Sequence, residues 1–208
     1  MSKIKNIIFD LGGVIINLDI HKTVSEFNKL SKLPFESIYT QQQQSIIFDS
    51  FDKGTISEKD FFEKIKHLIQ TEAGNTQLIQ AWNAMLLDFP AHRLSLLNEL
   101  SKKYRLFLLS NTNETHIYEF EKTLRQQHQL NNLDSFFEKV YYSCRIGMRK
   151  PDADIFNFVL TENNLIPTET IFIDDSPQHL IGAKKTGITS YLLPKNEDII
   201  QLINHLKL

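Results

Sequence analysis

The stretch IIFDLGGVIINLD, residues 7–19, runs strand-forming residues into Asp10 and then breaks at Gly12-Gly13. Isoleucine and phenylalanine favour a pleated, buried strand, and a carboxylate followed by paired glycines fits a strand that stops at a turn. Such a strand needs partners. Five apolar runs read as strands: KNIIFD ending at Asp10, RLFLLS ending at Ser110, EKVYYS ending at Ser143, TIFID ending at Asp174 and TSYLL ending at Leu193. Helical spacing fills the intervals between the last four, at roughly 114–129, 152–163 and 177–186. This alternation predicts an α/β fold, a Rossmann-like parallel sheet with helices on both faces.

The rhythm breaks between Asp10 and Arg105. That interval reads as helical throughout, because IHKTVSEFNKLSKL, SEKDFFEKIKHLIQ and NTQLIQAWNAMLL carry apolar residues at three- and four-residue spacing. Ser57 followed by Asp60 suits a cap for the middle helix. The expected organisation is a small all-helical cap over residues 17–88, inserted into a core of residues 1–16 plus 89–208 that resumes with the helix HRLSLLNELSKKY. The glutamine run at 41–44 reads as a solvated helix face.

With 208 residues, 41% of them hydrophobic and 15 of them Phe, the chain can bury a substantial core. A net charge of -2 leaves no electrostatic footprint for wrapping nucleic acid or coating an anionic membrane, so a small-molecule or protein partner is expected, with no obligate protein partner evident. The lone Cys144 cannot form an internal disulfide, and the opening MSKIKNIIFDL lacks a signal-peptide cleavage site. No apolar run approaches the ~20 residues needed to span a bilayer. A cytoplasmic protein is expected.

Ligands of open α/β sheets bind beyond the carboxyl ends of the strands, where strand order reverses. The polar residues of note fall there. Asp10 closes the first strand, Ser110-Asn111 the second and Asp174-Asp175 the fourth, while Lys150 follows the third. Three converging acids repel one another unless a cation sits among them, and hard oxygen ligands suit Mg²⁺. Lys150, the Ser110 hydroxyl and the amides of Asn111 and the Gly12-Gly13 turn would then serve a phosphate. Ser176 and Pro177 suit the start of a helix whose positive end faces both aspartates.

Taken in order, FDLGGV, LLSNT, GMRKPD and FIDDSPQHLIGAKKTGI resemble the four motifs of the haloacid dehalogenase-like hydrolase superfamily, and FDKGTISEKDFF resembles a stretch of its caps. The match spans nearly the whole chain. The resemblance implies that Asp10 is a nucleophile forming an aspartyl phosphate, that Ser110 and Lys150 hold the phosphoryl group, and that Asp10, the Gly12 carbonyl and Asp175, with Asp174 directly or through water, bind Mg²⁺. The implied reaction is hydrolysis of a small phosphorylated metabolite, sugar phosphates among them.

One departure matters. Most phosphatases of the superfamily carry a second Asp, two residues after the first, as general acid and base; here Gly12 stands in its place. Such a group contributes ~10²–10⁴ in rate. The D-L-G pattern with GMRKP resembles the α-glucose-1-phosphate phosphatase-like branch, which favours a phosphatase with a substitute acid or with a substrate needing little protonation. Asp19 and His21, at the start of the cap, are candidates for that acid, each also suiting a hinge or helix cap. His116 and His179 read as solvated helix-surface residues. Two other readings stay open: a catalytically weak phosphometabolite-binding protein, and dehalogenase or C–P bond chemistry, of which the Asp174-Asp175 pair argues against dehalogenation.

Overall fold

The computed structural model describes residues 3–39 and 46–208; the glutamine run at 41–44 lies outside the described residues. A parallel sheet is built from β1 (Asn6–Phe9), β2 (Arg105–Ser110), β3 (Lys139–Tyr142), β4 (Thr170–Asp174) and β5 (Thr189–Leu192), in the order β3-β2-β1-β4-β5. β1 is central, with Ile7 opposite Leu106 on one side and Ile171 on the other. The chain winds outward through β2 and β3 and then crosses to β4 and β5. Strand order therefore reverses between β1 and β4, which opens a crevice beyond their carboxyl ends.

After β1 the chain leaves the sheet through α1 (Ile20–Leu30), α2 (Ile46–Asp52), α3 (Glu58–Ile69) and α4 (Asn75–Asn83), and returns through α5 (Ala91–Ser101). Then α6 (Glu114–His128) joins β2 to β3, α7 (Ser143–Ile146) and α8 (Ala153–Glu162) join β3 to β4, α9 (Pro177–Lys184) joins β4 to β5, and α10 (Ile199–Leu206) ends the chain. Successive strand residues point to opposite faces. Ile7 and Phe9 pack with Leu97, Phe120 and Ile203, whereas Ile8 packs with Ile155, Phe156 and Ala183 on the other side. Both faces being covered, β1 and β4 are buried along their whole length, which is why they read as unbroken apolar runs.

The helices between β1 and α5 keep a separate aromatic core, in which Phe27 stacks on Phe35 at 4.1 Å and Phe51 on Phe61 at 4.0 Å around the single tryptophan, Trp82. Each fully buried Phe contributes about 1.5–3 kcal/mol to that packing. The two crossings run side by side: the Asn17 amide donates to the Asp88 carbonyl at 3.0 Å, and the Leu87 amide to the Asn17 carbonyl at 3.0 Å. Among the described residues no helix is long and apolar enough to cross a membrane.

Ser57 caps α3 as expected, accepting from the Asp60 amide at 3.1 Å. Three strands stop one residue early, so that Asp10, Ser143 and Leu193 lie just past β1, β3 and β5. Ser143 opens α7 instead. Ser176 holds the N-cap position of α9, but its side chain makes no capping bond. Its backbone amide donates to Asp174 Oδ1 at 2.7 Å, so the aspartate does the capping.

Candidate active site

The sheet brings Asp10, Ser110, Asp174 and Asp175 to one edge, because they end or follow β1, β2 and β4. Lys150 joins them from the segment between α7 and α8. The Asn111 side chain fixes that segment, accepting the Lys150 amide at 2.9 Å and donating to the Lys150 carbonyl at 2.8 Å. Lys150 is fully buried, and its Nζ donates at 2.7 Å to both Asp10 Oδ1 and Asp174 Oδ2. A buried ammonium costs several kcal/mol unless paired. Burial alone would push Lys150 down, but the Asp10 and Asp174 carboxylates outweigh it and raise it above the ordinary lysine value.

The three acids differ. Burial works to raise Asp174, yet Lys150 and His179 override it and hold the carboxyl at about 2. His179 Nδ1 lies 2.9 Å from Asp174 Oδ2, so this residue, expected to be solvated, instead backs the cluster. Asp175 is pushed up to about 7, first by burial and then by the charges of Asp10 and Asp174. Asp10 is raised as well, chiefly by burial. One lysine does not balance three carboxylates whose oxygens lie within 4.8 Å of one another. A hard divalent cation fits this donor set. Lys150, His179 and the Ser176 amide already occupy Asp174, so the oxygens left for a cation belong chiefly to Asp10 and Asp175.

The two glycines after Asp10 serve different ends. Gly13 has φ +70, and a Cβ there would lie 2.5 Å from Asp175 Oδ2; its amide is engaged by the Ile16 carbonyl at 2.9 Å. Gly13 therefore lets the loop pass close to a metal-cluster carboxylate. At Gly12 a Cβ would meet Leu18 Cδ1 at 2.6 Å, and its φ lies outside the left-handed range. The obstacle at Gly12 is the tip of a flexible side chain.

Above Asp10 lies a cavity of about 140 Å³ whose core side includes Asp10, Gly12, Ser110 and Asn111 and whose roof, from the insertion, includes Tyr39, Asp52 and Trp82. Lys150 stands behind Asp10 and is not part of this wall. Asp52 was not singled out from the sequence: it lies in FDKGTISEKDFF, and only its acidic type just before a Lys-Gly turn marks it. It is 8% exposed, 3.7 Å from the Arg149 guanidinium and 3.5 Å from Asn113 Nδ2. Burial pushes its carboxyl up to about 6 against the pull of Arg149.

Asp19 and His21 line an adjoining cavity of about 710 Å³, which also reaches Gly13 and Asp175. Asp19 caps α1, accepting the His21 amide at 3.1 Å. His116, expected to be solvated, is buried instead: it stacks on Trp82 at 4.9 Å, and burial drives its imidazole down to about 4. Both histidines were misread for one reason: each faces inward from the first turn of its helix, which a local pattern does not reveal.

Comparison with known proteins agrees with this geometry. The haloacid dehalogenase-like hydrolase family model matches residues 7–193. D-ribitol-5-phosphate phosphatase of Bacteroides thetaiotaomicron is 30% identical over 188 residues, 90% of this chain and 91% of that protein. A wild-type HAD family enzyme of the same organism, solved with magnesium and inorganic phosphate, superposes with a TM-score of 0.84 at 36% identity, covering 96% of this chain and 98% of that one. A HAD-like family hydrolase of Porphyromonas gingivalis superposes with a TM-score of 0.87 at 32% identity, covering 99% and 98%. With its motifs, sheet order and carboxylate cluster all in place, the chain belongs to the haloacid dehalogenase-like hydrolase family.

Proposed function

We propose that this chain is a Mg²⁺-dependent phosphatase that hydrolyses a small sugar or polyol phosphate through an aspartyl phosphate on Asp10. The observation that carries the reading is the Asp10 carboxylate itself: it follows a buried strand, Lys150 pins its Oδ1 at 2.7 Å, and it borders the cavity. A rigid strand end aims the second oxygen at phosphorus, which is the orientation a nucleophile needs. Bound Mg²⁺ supplies positive charge to the phosphoryl oxygens and to the carboxylates together. Ser110 and the Asn111 amide are the proposed phosphoryl donors. Lys150 counters the burial that raises Asp10, and Asn111 holds Lys150 in register.

The insertion acts in this reading as a cap that closes over the bound ester, with Tyr39, Asp52 and Trp82 facing the leaving group. The polyol class is supported by the similarity to D-ribitol-5-phosphate phosphatase and by a roof that mixes aromatic and charged groups. The lone Cys144 suits a reducing compartment, and the cytoplasm is the proposed one.

A panel of sugar and polyol phosphates with Mg²⁺ tests the proposal. Turnover should vanish with EDTA and return with Mg²⁺. Asp10→Asn should bind phosphate esters yet form no hydroxylamine-labile phosphoenzyme, because it loses the nucleophile while Ser110 and the Asn111 amide stay. Near-normal turnover by Asp10→Asn would refute the covalent route.

A further inference from the structure

A polyol phosphate releases an alkoxide unless a proton meets the departing oxygen, because an alcohol is a very weak acid. Gly12 has no side chain to deliver one. Other groups on the cavity wall are poorly suited. Burial raises the Tyr39 phenol well above its ordinary value. The His116 imidazole is driven down to about 4, so it is neutral near pH 7, and its Nε2 faces the Trp82 carbonyl at 3.3 Å. His179 is held by Asp174, and Asp175 belongs to the cation cluster.

Asp52 is different. It ends α2, lines the same cavity as Asp10 from the insertion, and is buried there. The ionisable groups facing it are Arg149 from the core, Asp49 on its own helix, and, more remotely, Tyr39 and Cys144. One cavity thus has a nucleophile in its core wall and a carboxyl from the insertion in its roof.

We propose that Asp52 is the acid–base residue of this site, protonating the departing oxygen and later taking a proton from the attacking water. The inference rests on the phosphatase reading above. In the first step an Asp10 oxygen bonds to phosphorus, the ester P–O pair moves onto the leaving oxygen, and the Asp52 proton joins it to release the alcohol. In the second, a water oxygen bonds to phosphorus, the P–O pair returns to Asp10, and the water's proton passes to Asp52. Hydrogen phosphate leaves with both carboxyl groups restored. A carboxyl at about 6 is suited to both roles near neutral pH.

Single-turnover phosphorylation of wild type, Asp52→Asn and Asp52→Glu, with Mg²⁺, over esters running from aryl phosphates of acidic phenols to ribitol 5-phosphate, tests this. Asp52→Asn should slow phosphorylation by ribitol 5-phosphate ~10²–10⁴-fold and by the most acidic aryl phosphate less than about tenfold, since that leaving group needs no proton. With the aryl ester its phosphoenzyme should accumulate, because the base for the second step is gone. Asp52→Glu should recover part of the ribitol 5-phosphate rate. An equal loss across the series would make Asp52 a structural contact and overturn the proposal. Should Asp52→Asn fail to fold, wild type decides: phosphorylation by ribitol 5-phosphate must fall above an apparent pKa of about 6 while the aryl reaction does not, and coincident pH profiles would refute the role. Wild type forming no phosphoenzyme even from the aryl ester would defeat the phosphatase reading and this one with it. A wild-type phosphoenzyme with an unchanged leaving-group slope in Asp52→Asn would defeat this one alone.

Discussion

Asp52 and Lys150 show what burial does to a single charge. Lys150 is fully enclosed yet has two carboxylates at 2.7 Å, so its charge is kept. Asp52 has, among the described residues, Arg149 at 3.7 Å and Asn113 at 3.5 Å; burial prevails over them and its carboxyl rises to about 6 from 3.8. The folded state then binds more protons than the unfolded state between those two values. Stability is full below the unfolded pKa, declines as pH rises through the interval, and levels off above the folded pKa, a loss of about 3 kcal/mol at the limit. Asp52→Asn is neutral at every pH and lacks this loss. Thermal melts should therefore show the variant gaining on wild type from pH 4 to pH 7, and a pH-independent difference would refute the buried acid. In the sequence, Asp10, Ser110, Asp174 and Asp175 were legible because parallel strands deliver their carboxyl ends to one place. Asp52 was not, because its place in the same cavity as Asp10 depends on how an insertion docks, and no periodicity encodes that.

At the scale of elements, the loop after β1 decides how near the backbone comes to the cation cluster. Gly13→Ala should fail twice, by φ +70 and by a Cβ 2.5 Å from Asp175 Oδ2, whereas Gly12→Ala needs only the tip of Leu18 to turn aside. We expect Gly13→Ala to lose Mg²⁺-dependent turnover and about 1–3 kcal/mol of stability, and Gly12→Ala to melt within about 1 kcal/mol of wild type. Melting curves and Mg²⁺ titrations of the pair check this, and equal damage at both positions would contradict it. The strands were legible from apolar runs between turn signals, and β1, buried on both faces, most clearly. α2 and α10 were not resolved as separate helices. α10 carried a signal, since Asp198 caps it and Gln201 returns a bond to the cap amide at 2.8 Å, a capping box followed by an apolar run. Among the described residues α2 runs Ile46–Asp52, a stretch too short for helical spacing to declare itself.

At the scale of the molecule, the insertion meets the core through polar contacts and the buried Trp82–His116 stack. Its aromatic core is separate from the two that cover the sheet. What joins them near the cavity is largely polar: Thr115 Oγ1 donates to Glu58 Oε2 at 2.6 Å, Arg149 pairs with Asp49, and Lys53 reaches Asp152 at 3.3 Å. An exposed ion pair such as Lys53–Asp152 contributes about 0–1 kcal/mol. Close packing occurs at Gly54, in the turn after α2, where a Cβ would fall 2.2 Å from the Cys144 carbonyl oxygen on α7, with φ +65. Gly54→Ala should act as a wedge there, lifting Asp52 away from Asp10. Trp82 can report the movement, because the chain has one tryptophan, and it stacks on His116 of α6 across the same boundary while only 3% exposed. Lifting the insertion wets that face of the indole. Gly54→Ala should therefore shift tryptophan emission to the red, increase acrylamide quenching, and slow polyol phosphates more than activated aryl phosphates, since the roof delivers the proton only when closed. Unchanged emission and quenching in a folded Gly54→Ala would mean that the insertion stays seated, and that closure does not depend on this contact.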